Sequence, residues 1–342
     1  MATLKEISEA TGFSITTVSR VLSEDETFSV AESTRSAIFE AAQKVNYKSP
    51  SKRVERNRQV QKSFKVGIVE MEYEMDHFKD SYYIYMRSSV EKSLFDMKLE
   101  PIAFRFDEGA GEYINISGNV DGIIAIGQFS AAQVSAMEKW TRNIVFIDSS
   151  PCTEKYTSVV PDYETGIRQG VEYLYNKGHR SIAFTGVKYT LDSRAGKIIE
   201  SRRRIFDDVV KEYPELKACH IDTPSGSSGT SESIKKYFAN TKKADRVSAF
   251  FAFNEPTAIG VLRAIEAEGF KVPKDYSVLS YNDTALATMT NPQLSGIHIP
   301  LPQIAEAAVF FLNRCMLKEA DMPLKIMVPT TVAERESVDI IL

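Results

Sequence analysis

The sequence predicts an α/β fold in two parts: a small N-terminal domain of three helices, and a larger doubly wound core built from two lobes. Two observations predict this division. Residues 3–46 carry closely spaced helix-capping signals and few apolar residues. From residue 64 onward, apolar runs rich in β-branched residues alternate with amphipathic stretches, which is typical of parallel strands covered by helices on both faces. These strands are too many for one modest sheet, so we expect two α/β lobes.

Residues 1–46 are expected to form three short helices. The local signals that start or stop them are Thr3 with Glu6, Gly12, Ser14, and Ser29 with Glu32. Apolar spacing predicts the inward face of the second helix, made of Val18, Val21 and Leu22. Two short helices joined by a turn that contains glycine form a helix-turn-helix, whose second helix can enter the major groove of DNA.

With that face turned inward, the second helix exposes Ile15, Thr16 and Arg20. Arginine can read guanine through two hydrogen bonds, and isoleucine or threonine methyl groups can contact thymine methyls. Hydroxyl side chains suit phosphate oxygens. The candidate DNA contacts are therefore Ser14, Ile15, Thr16, Thr17, Ser19 and Arg20. From spacing alone, the alternative is a small helical cap with an ordinary polar face.

Charge is distributed unevenly along the chain, whose formal net charge is −4. Residues 1–65 hold 11 Lys and Arg against 8 Asp and Glu, whereas the rest holds 31 against 38. Within 44–65, eight basic residues stand against one acidic residue. A basic N-terminal segment on an acidic body is typical of nucleic-acid binders, and the alternative is a plain solvated linker. Residues 47–63 have almost no apolar side chains and are expected to form a basic hinge or linker.

Several classes of protein are disfavoured by motifs that the sequence lacks. It has no run of 18 apolar residues and no basic start followed by an apolar stretch, so we expect a cytoplasmic protein without membrane association. Its three cysteines and four histidines are scattered, which favours buried reduced thiols and disfavours a metal site. It has neither a phosphate-binding glycine loop nor a nucleophile motif. We therefore expect no enzyme activity and no cofactor.

The sequence resembles the LacI/GalR family of bacterial repressors. The family's DNA-binding domain is similar to "TLKEISEATGFSITTVSRVLS" and "TRSAIFEAAQKVNY". Its sugar-binding core, which has a periplasmic-binding-protein-like fold, is similar to "YLYNKGHRSIAFTG", "FAFNEPTAIGVLRAIEAEGFKVPKDYSVLSYND" and "NPQLSGIHIP". The resemblance covers essentially the whole chain. Repressors of galactose and galactoside utilisation are the most similar subgroup, on the stretches "VNYKSPSKR", "DSYYIYMRSSVE" and "SYNDT".

The resemblance implies that a sugar effector binds between the two lobes of a core spanning 64–342. Carried over motif by motif, it implies effector contacts by Tyr82, Tyr83, Asp162, Arg202, Asn254, Asn282 and Asp283. Arg, Asn and Asp side chains supply the paired donors and acceptors that hydroxyl-rich ligands need, and a Tyr ring can cover the C–H side of a pyranose. The alternatives are that Asn254 only caps a helix, that an adjacent arginine replaces Arg202, and that the tyrosines are ordinary packing.

Three departures from the family pattern bear on these assignments. Pro224 stands where many members have an aromatic residue before "SG", and Asn282 stands where Asp is common. The hinge offers Arg and Asn in place of the usual alanine and leucine. The resemblance still implies DNA contacts by Lys52, Arg53 and Val54, but whether the hinge wedges into the minor groove or holds it by charge stays open.

The resemblance implies a transcriptional repressor of a sugar operon, with galactose or a galactoside favoured. It implies a homodimer that binds double-stranded palindromic operator DNA and is released by the sugar. The alternatives are a regulator for another carbon source, and a catabolite-control regulator that uses a phosphorylated protein co-repressor. Which sugar or sugar phosphate binds, the operator sequence and the sign of regulation stay open. No leucine heptad follows "VDIIL", so a dimer is expected rather than a tetramer.

Overall fold

A computed structural model describes residues 3–22, 28–44, 64–71, 80–192 and 196–341. The chain divides into two compact units, Met1–Ser63 and Phe64–Leu342. In the described ranges, every helix is too short or too polar to cross a membrane.

The N-terminal unit contains three helices, Leu4–Thr11, Ile15–Leu22 and Glu32–Lys44. The Thr3 hydroxyl accepts a hydrogen bond from the Glu6 N–H at 3.3 Å, and the Ser14 hydroxyl accepts one from the Thr17 N–H at 3.1 Å. Gly12 ends the first helix with a φ of 75°, a left-handed conformation that favours glycine. The helix starts predicted at Thr3 and Ser14 and the stop predicted at Gly12 are therefore confirmed.

The predicted start of the third helix at Ser29 is wrong. The helix begins at Glu32, where the Arg35 N–H makes an intrahelical bond to the Ala31 carbonyl at 3.1 Å. Among the described residues of this unit, the buried core consists of Ile7, Val18, Val21, Ile38 and Ala42, with six partly buried apolar side chains packed against it. Leu22 is half-buried and packs against this cluster. The inward face predicted for the second helix is therefore confirmed.

The first lobe of the core unit is built on a six-stranded parallel sheet. In spatial order, its strands are Lys325–Val328, Thr157–Pro161, Ile144–Ile147, Gly122–Ile126, Lys65–Glu70 and Glu100–Ala103. Its helices are Ser81–Asp96, Ala131–Glu138 and Leu301–Met316. A short antiparallel pair, Arg105–Asp107 with Glu112–Ile114, extends from it. The apolar runs predicted as strands are buried inside this lobe, as parallel sheets require.

The second lobe repeats the architecture. Its strands, in spatial order, are Lys217–Asp222, Ser181–Gly186, Ala249–Ala252, Ser277–Asn282, Ser295–His298 and the antiparallel Thr331–Ala333. Its helices are Tyr163–Asn176, Ser201–Val209, Ser227–Asn240, Glu255–Ala267 and Ala285–Thr288, with 3-10 turns at Val210–Glu212 and Lys243–Asp245. A separate antiparallel pair, Tyr189–Asp192 with Gly196–Ile199, is called the cleft ribbon below. The prediction of two doubly wound lobes is confirmed.

The chain crosses between the lobes three times: after Pro161, after His298 and after Val328. The first and third crossings lie side by side, because the Asp162 N–H donates to the Val328 carbonyl at 2.9 Å. The helix after the first crossing packs closely on the second lobe. A Cβ at Gly166 would overlap the Tyr281 hydroxyl, so glycine is required there.

The expectation of buried thiols is wrong, because none of the three cysteines is fully buried. Cys152 and Cys315 are half-buried, whereas Cys219 is exposed on the edge strand Lys217–Asp222. An edge strand has one unpaired side, which accounts for that exposure.

Candidate effector cleft and DNA-binding helix

The second helix of the N-terminal unit presents its N-terminal end to solvent. Ile15 is 48% exposed, and Ser14 and Thr16 are also exposed. Thr17 and Ser19 are half-buried, and the Arg20 guanidinium lies 4.5 Å from the centre of the Phe28 ring. An exposed isoleucine beside hydroxyl side chains is the kind of surface that can contact thymine methyls and phosphates. The other candidate DNA contacts, Lys52, Arg53 and Val54, lie with the hinge 47–63 outside the described residues.

The core unit contains a cavity of about 440 Å³ in the cleft between the carboxyl ends of the two parallel sheets. This is the edge at which open α/β sheets bind ligands. The cavity combines carboxylate, amide, guanidinium and hydroxyl groups with aromatic and aliphatic side chains. It is lined by Met71, Asp80, Tyr83, Gln128, Asp148, Val187, Tyr189, Thr190, Leu191, Lys197, Arg202, Ser225, Gly226, Phe253, Asn254 and Pro256.

A second cavity of about 30 Å³ lies deeper in the cleft, with room for roughly one water molecule. It is lined by Asp80, Tyr82, Tyr83, Asp148, Tyr163, Arg202, Phe253, Asn254 and Asn282. Six of these residues also line the large cavity. The two cavities therefore form one site with a narrow polar inner end.

Three tyrosine hydroxyls converge on Asp148 at that inner end. The Tyr83 hydroxyl donates to Asp148 Oδ2 at 2.8 Å, Tyr82 donates to Oδ1 at 3.4 Å, and Tyr163 donates to Oδ1 in a shorter bond. Asp148 is 8% exposed, and burial raises the pKa of its carboxyl. Tyr163 belongs to the second lobe and Asp148 to the first, so this cluster joins the lobes.

A second polar cluster joins the lobes where helix Ser81–Asp96 begins. Asn254 Nδ2 donates to Asp80 Oδ2 at 2.8 Å, and the Ser81 and Thr284 hydroxyl oxygens are 2.8 Å apart. Glu255, which is fully buried, accepts from the Thr284 N–H at 2.8 Å and from the Thr284 hydroxyl at 2.7 Å. Burial raises the pKa of Glu255 to about 7 and also raises the pKa of Asp80. Separating the lobes would break the bonds of Asp80 and Ser81.

Arg202 is the guanidinium of the cleft. It is 8% exposed, its Nε pairs with Glu200 Oε1 at 2.9 Å, and its Nη1 donates to the Phe253 carbonyl at 2.9 Å. Its guanidinium carbon lies 4.1 Å from the centre of the Phe253 ring and 4.9 Å from that of Tyr163. Packing between these two rings fixes the orientation of the guanidinium plane, and with it the directions of its remaining N–H donors.

The structure brings together five of the seven residues predicted for the effector site. Tyr83, Arg202 and Asn254 line the large cavity, and Tyr82 and Asn282 line the inner one. Asn254 also caps helix Glu255–Ala267, because its Oδ1 accepts the Thr257 N–H at 3.0 Å. The helix-capping alternative and the cleft position are therefore both true of this residue.

Asp162 and Asp283 are not brought to either cavity. The Asp162 carboxylate caps helix Tyr163–Asn176, accepting from the Thr165 N–H at 3.0 Å and from its hydroxyl at 2.7 Å. The Asp283 carboxylate pairs with His298 at 3.0 Å and with Arg335 at 2.5 Å. Each carboxylate is occupied by a partner of its own, which turns it away from the cleft.

The sequence prediction missed several residues of the cleft. Asp148 directly follows an apolar strand, and Gln128 lies two residues after the end of another. The strand-end position is the signal that could have selected them. Asp80 directly precedes a helix and caps it, which is a recognisable local pattern. The cleft ribbon has no comparable signal, because its strands are short and half-exposed. The aromatic side chain missing at Pro224 has a counterpart in Phe253, which lines the cavity.

Comparison with known protein families gives two matches. The model described as "Bacterial regulatory proteins, lacI family" matches residues 3–50, and that described as "Periplasmic binding protein-like domain" matches residues 171–338. Among curated proteins, the HTH-type transcriptional regulator GanR of Bacillus subtilis (strain 168) is 32% identical, over 91% of this chain and 92% of its own.

Two solved structures resemble the whole chain in fold. The complex of the transcriptional regulator CelR with cellobiose superposes with a TM-score of 0.65 at 19% identity, covering 98% of this chain and 100% of its own. The lac repressor dimer bound to operator and the anti-inducer ONPF gives a TM-score of 0.64 at 20% identity, covering 99% of each chain.

Proposed function

The chain belongs to the LacI family of bacterial regulatory proteins, and from that premise we propose that it represses a sugar-utilisation operon and leaves its operator when a sugar binds the cleft. Members of the family are transcription regulators rather than enzymes. The favoured operon is one for galactose or galactosides, since the relatives at about 30% identity include regulators named GanR and GalR. The chromosomal target makes the cytoplasm the place of action.

The DNA contacts are assigned to the second helix of the N-terminal unit. Its exposed Ile15 and Thr16 are directed to base edges, and Ser14, Thr17 and Ser19 to phosphates. Arg20 is assigned a guanine contact, which requires its guanidinium to leave the Phe28 ring. Lys52, Arg53 and Val54 are assigned to the DNA backbone and minor groove.

The effector site is assigned to the cleft of the core. The observation that carries this assignment is the inner end of the cavity, where Asp80, Asp148, Asn254 and Arg202 converge beside the Phe253 ring. Carboxylates, amides and guanidinium groups offer hydrogen bonds to neighbouring hydroxyls, and a ring offers an apolar face, which together suit a pyranose. The fold relative in complex with cellobiose supports a sugar as the class of ligand.

A homodimer is proposed through the first lobe. Helices Ser81–Asp96 and Leu301–Met316 pack on each other and expose large apolar side chains. These are Ile84 at 60%, Tyr85 at 41%, Phe95 at 79% and Phe310 at 50% exposure. Apolar side chains clustered on adjacent helices are typical of an interface between subunits, and a two-fold dimer suits a palindromic operator.

Sugar binding is coupled to DNA binding through the angle between the lobes. If the sugar and the operator prefer different lobe arrangements, bound sugar weakens operator affinity. Bound operator then weakens sugar affinity by the same factor. A coupling of about 2–3 kcal/mol would loosen the operator roughly 30- to 150-fold.

The test is fluorescence anisotropy of a labelled palindromic operator taken from upstream of the protein's own gene cluster. The full chain is titrated at fixed salt, with and without galactose, lactose and related sugars. We expect salt-sensitive tight binding that a galactose-containing sugar releases. Ile15→Ala should weaken operator binding about tenfold, since one base contact is worth about 1–3 kcal/mol, whereas Ser36→Ala on the third helix should not.

Tight operator binding that no sugar alters would leave the DNA assignment standing and remove the sugar effector. In that case, phosphorylated sugars and a phosphorylated protein co-repressor become the candidates. Equal losses for the Ile15 and Ser36 variants would remove the assignment of the second helix.

A further inference from the structure

The cleft ribbon is a small element with an unusual place in the fold. Its strands, Tyr189–Asp192 and Gly196–Ile199, follow strand Ser181–Gly186 of the second lobe and pair only with each other among the described strands. Leu191 pairs with Lys197, and Tyr189 with Ile199, which puts these four side chains on one face. Two strands alone are marginally stable in water, so the ribbon depends on contacts outside itself.

Those contacts reach across the cleft to the other lobe. Gln128 lies two residues after the end of strand Gly122–Ile126 in the first lobe. Its Oε1 accepts a hydrogen bond from the Leu191 N–H at 3.3 Å and a shorter one from the Thr190 hydroxyl. One amide oxygen thus receives two donors from the ribbon. The ribbon, which lines the cavity with Tyr189, Thr190 and Leu191, is therefore bonded to the first lobe, and the part of the cavity that it lines is called the outer end below.

The cavity side of the ribbon is apolar and aromatic. Tyr189 and Leu191 both line the cavity, yet they are 43% and 42% exposed. The Lys197 ammonium also lines it and lies 4.7 Å from the centre of the Tyr189 ring. An exposed ring and an exposed leucine on a cavity wall gain free energy when a ligand covers them.

The volume of the cavity exceeds the needs of a single hexose. At about 30 Å³ per water molecule, 440 Å³ holds roughly fifteen waters. A hexose has one oxygen per carbon, and each such unit is about as large as a water. One hexose at the polar inner end therefore leaves more than half of the cavity unfilled, and the unfilled part is the end walled by the ribbon.

We propose that the cleft ribbon forms an outer subsite for a second sugar unit, so that the effector is a neutral disaccharide or longer oligosaccharide. This inference rests on the proposed function of the cleft. The first unit binds at the inner end near Asp80 and Arg202, and the second stacks on Tyr189. The carboxylates of half-buried Asp80 and buried Asp148 oppose a phosphate at the inner end, while Lys197 is the cation that a phosphate at the outer end would use.

The test is isothermal titration calorimetry on the full chain with galactose, galactose 6-phosphate and a panel of disaccharides: lactose, cellobiose, melibiose and β-1,4-galactobiose. We expect at least one disaccharide to bind about tenfold more tightly than the monosaccharide. Tyr189→Ala should remove about tenfold of the disaccharide affinity and leave galactose affinity within about twofold. The matched control is Ile199→Ala, on the same ribbon face but away from the cavity lining, which should change neither.

Two results would overturn the outer subsite while sugar binding stands: equal affinity for galactose and every disaccharide, or equal losses for both ligands in Tyr189→Ala. Tightest binding of galactose 6-phosphate, lost in Lys197→Met, would replace the neutral oligosaccharide with a sugar phosphate. If no sugar of any length binds, the proposed effector class itself fails. Tyr189→Leu, which keeps an apolar side chain but removes the ring, serves as a second variant should Tyr189→Ala unfold.

Discussion

The N-terminal unit and the core unit differ in what lies beneath their functional surfaces. In the first, five buried apolar side chains among the described residues support a helix whose N-terminal side chains, at Ser14, Ile15 and Thr16, are exposed. In the second, the functional side chains are themselves buried: Asp148, Arg202 and Asn254 are all less than 10% exposed. A surface site needs only that the helix forms. A buried polar site needs every partner in place, because a buried group without its partner is costly.

Replacing the buried guanidinium should give the largest effect and test that difference directly. Arg202→Ala leaves Glu200 buried without its ion pair and takes the cation from the cavity. We expect sugar affinity to fall at least about 100-fold, while operator affinity without sugar stays within about twofold. Calorimetry and operator anisotropy on the same preparation measure both.

Arg204→Ala is the matched control for this variant, since Arg204 is exposed on the same helix. It should bind sugar as the unaltered protein does. If the Arg204 variant lost affinity instead, the assignment of the cleft guanidinium to Arg202 would fail. Arg202→Lys keeps the charge without the planar fork and separates electrostatic attraction from hydrogen-bond geometry.

A pair of identical truncations should sharpen the comparison of the two cores. Val18 and Val171 are both fully buried, one in each unit. Changing either of them to alanine should lower the unfolding free energy of its unit by about 2 kcal/mol. A unit as small as Met1–Ser63 buries little apolar surface and so has little stability to spare. Val18→Ala should therefore unfold the N-terminal unit and abolish operator binding. Val171→Ala should lower the unfolding temperature of the core by a few degrees and leave operator binding intact.

Scanning calorimetry with an operator titration checks both variants. The comparison between the units would fail if the two truncations had equal effects on DNA binding. If Val171→Ala lost sugar binding as well as stability, the core unit would be as sensitive to truncation of a buried side chain as the N-terminal unit.

The smallest effect is expected from the buried carboxyl at the lobe interface. The pKa of Glu255 is raised from 4.5 to about 7, so between these values the folded core holds a proton that the unfolded chain has released. The stability of the core therefore falls as pH rises through this window. The change in pKa corresponds to about 3 kcal/mol near pH 8. Glu255→Gln stays neutral but offers Thr284 one acceptor oxygen instead of two, so we expect it to raise the unfolding free energy by about 1–2 kcal/mol near pH 8, with the gain vanishing near pH 4.5.

Glu266→Gln, on the exposed face of the same helix, provides the control and should change the unfolding free energy by less than about 0.5 kcal/mol. Urea titrations at four or more pH values measure the free energies. A gain that is the same at every pH would mean that the amide stabilises by packing rather than by removing a charge.

Much of the N-terminal unit could be predicted from sequence because its determinants are local. Thr3, Gly12 and Ser14 act on residues within one helical turn, and the spacing of Val18 and Val21 defines a face. The error at Ser29 is also local, since a capping motif was present without being used. In the core, apolar runs predicted the strands, and the family resemblance implied a ligand site between the two lobes.

What could not be predicted depends on partners distant in sequence. Asp283 was expected in the cleft, but Arg335, fifty-two positions later, draws its carboxylate away. Positive φ values at Asn282 and Asp283 turn successive side chains in directions that no periodicity gives. The bond between Gln128 and the cleft ribbon joins residues more than sixty positions apart. Spacing rules reach only as far as one helix or strand.

The three crossings between the lobes limit the ways in which the core can move. A single connecting segment would let one lobe swivel, tilt and slide against the other. The crossings after Pro161 and Val328, which the bond between Asp162 and Val328 holds side by side, resist swivelling, and the remaining crossing, after His298, resists sliding. Bending about the line of the crossings is the motion that remains. The free energy of effector binding can therefore change only the angle between the lobes. Effectors of different shape differ in how far they close the core and not in the direction in which it closes.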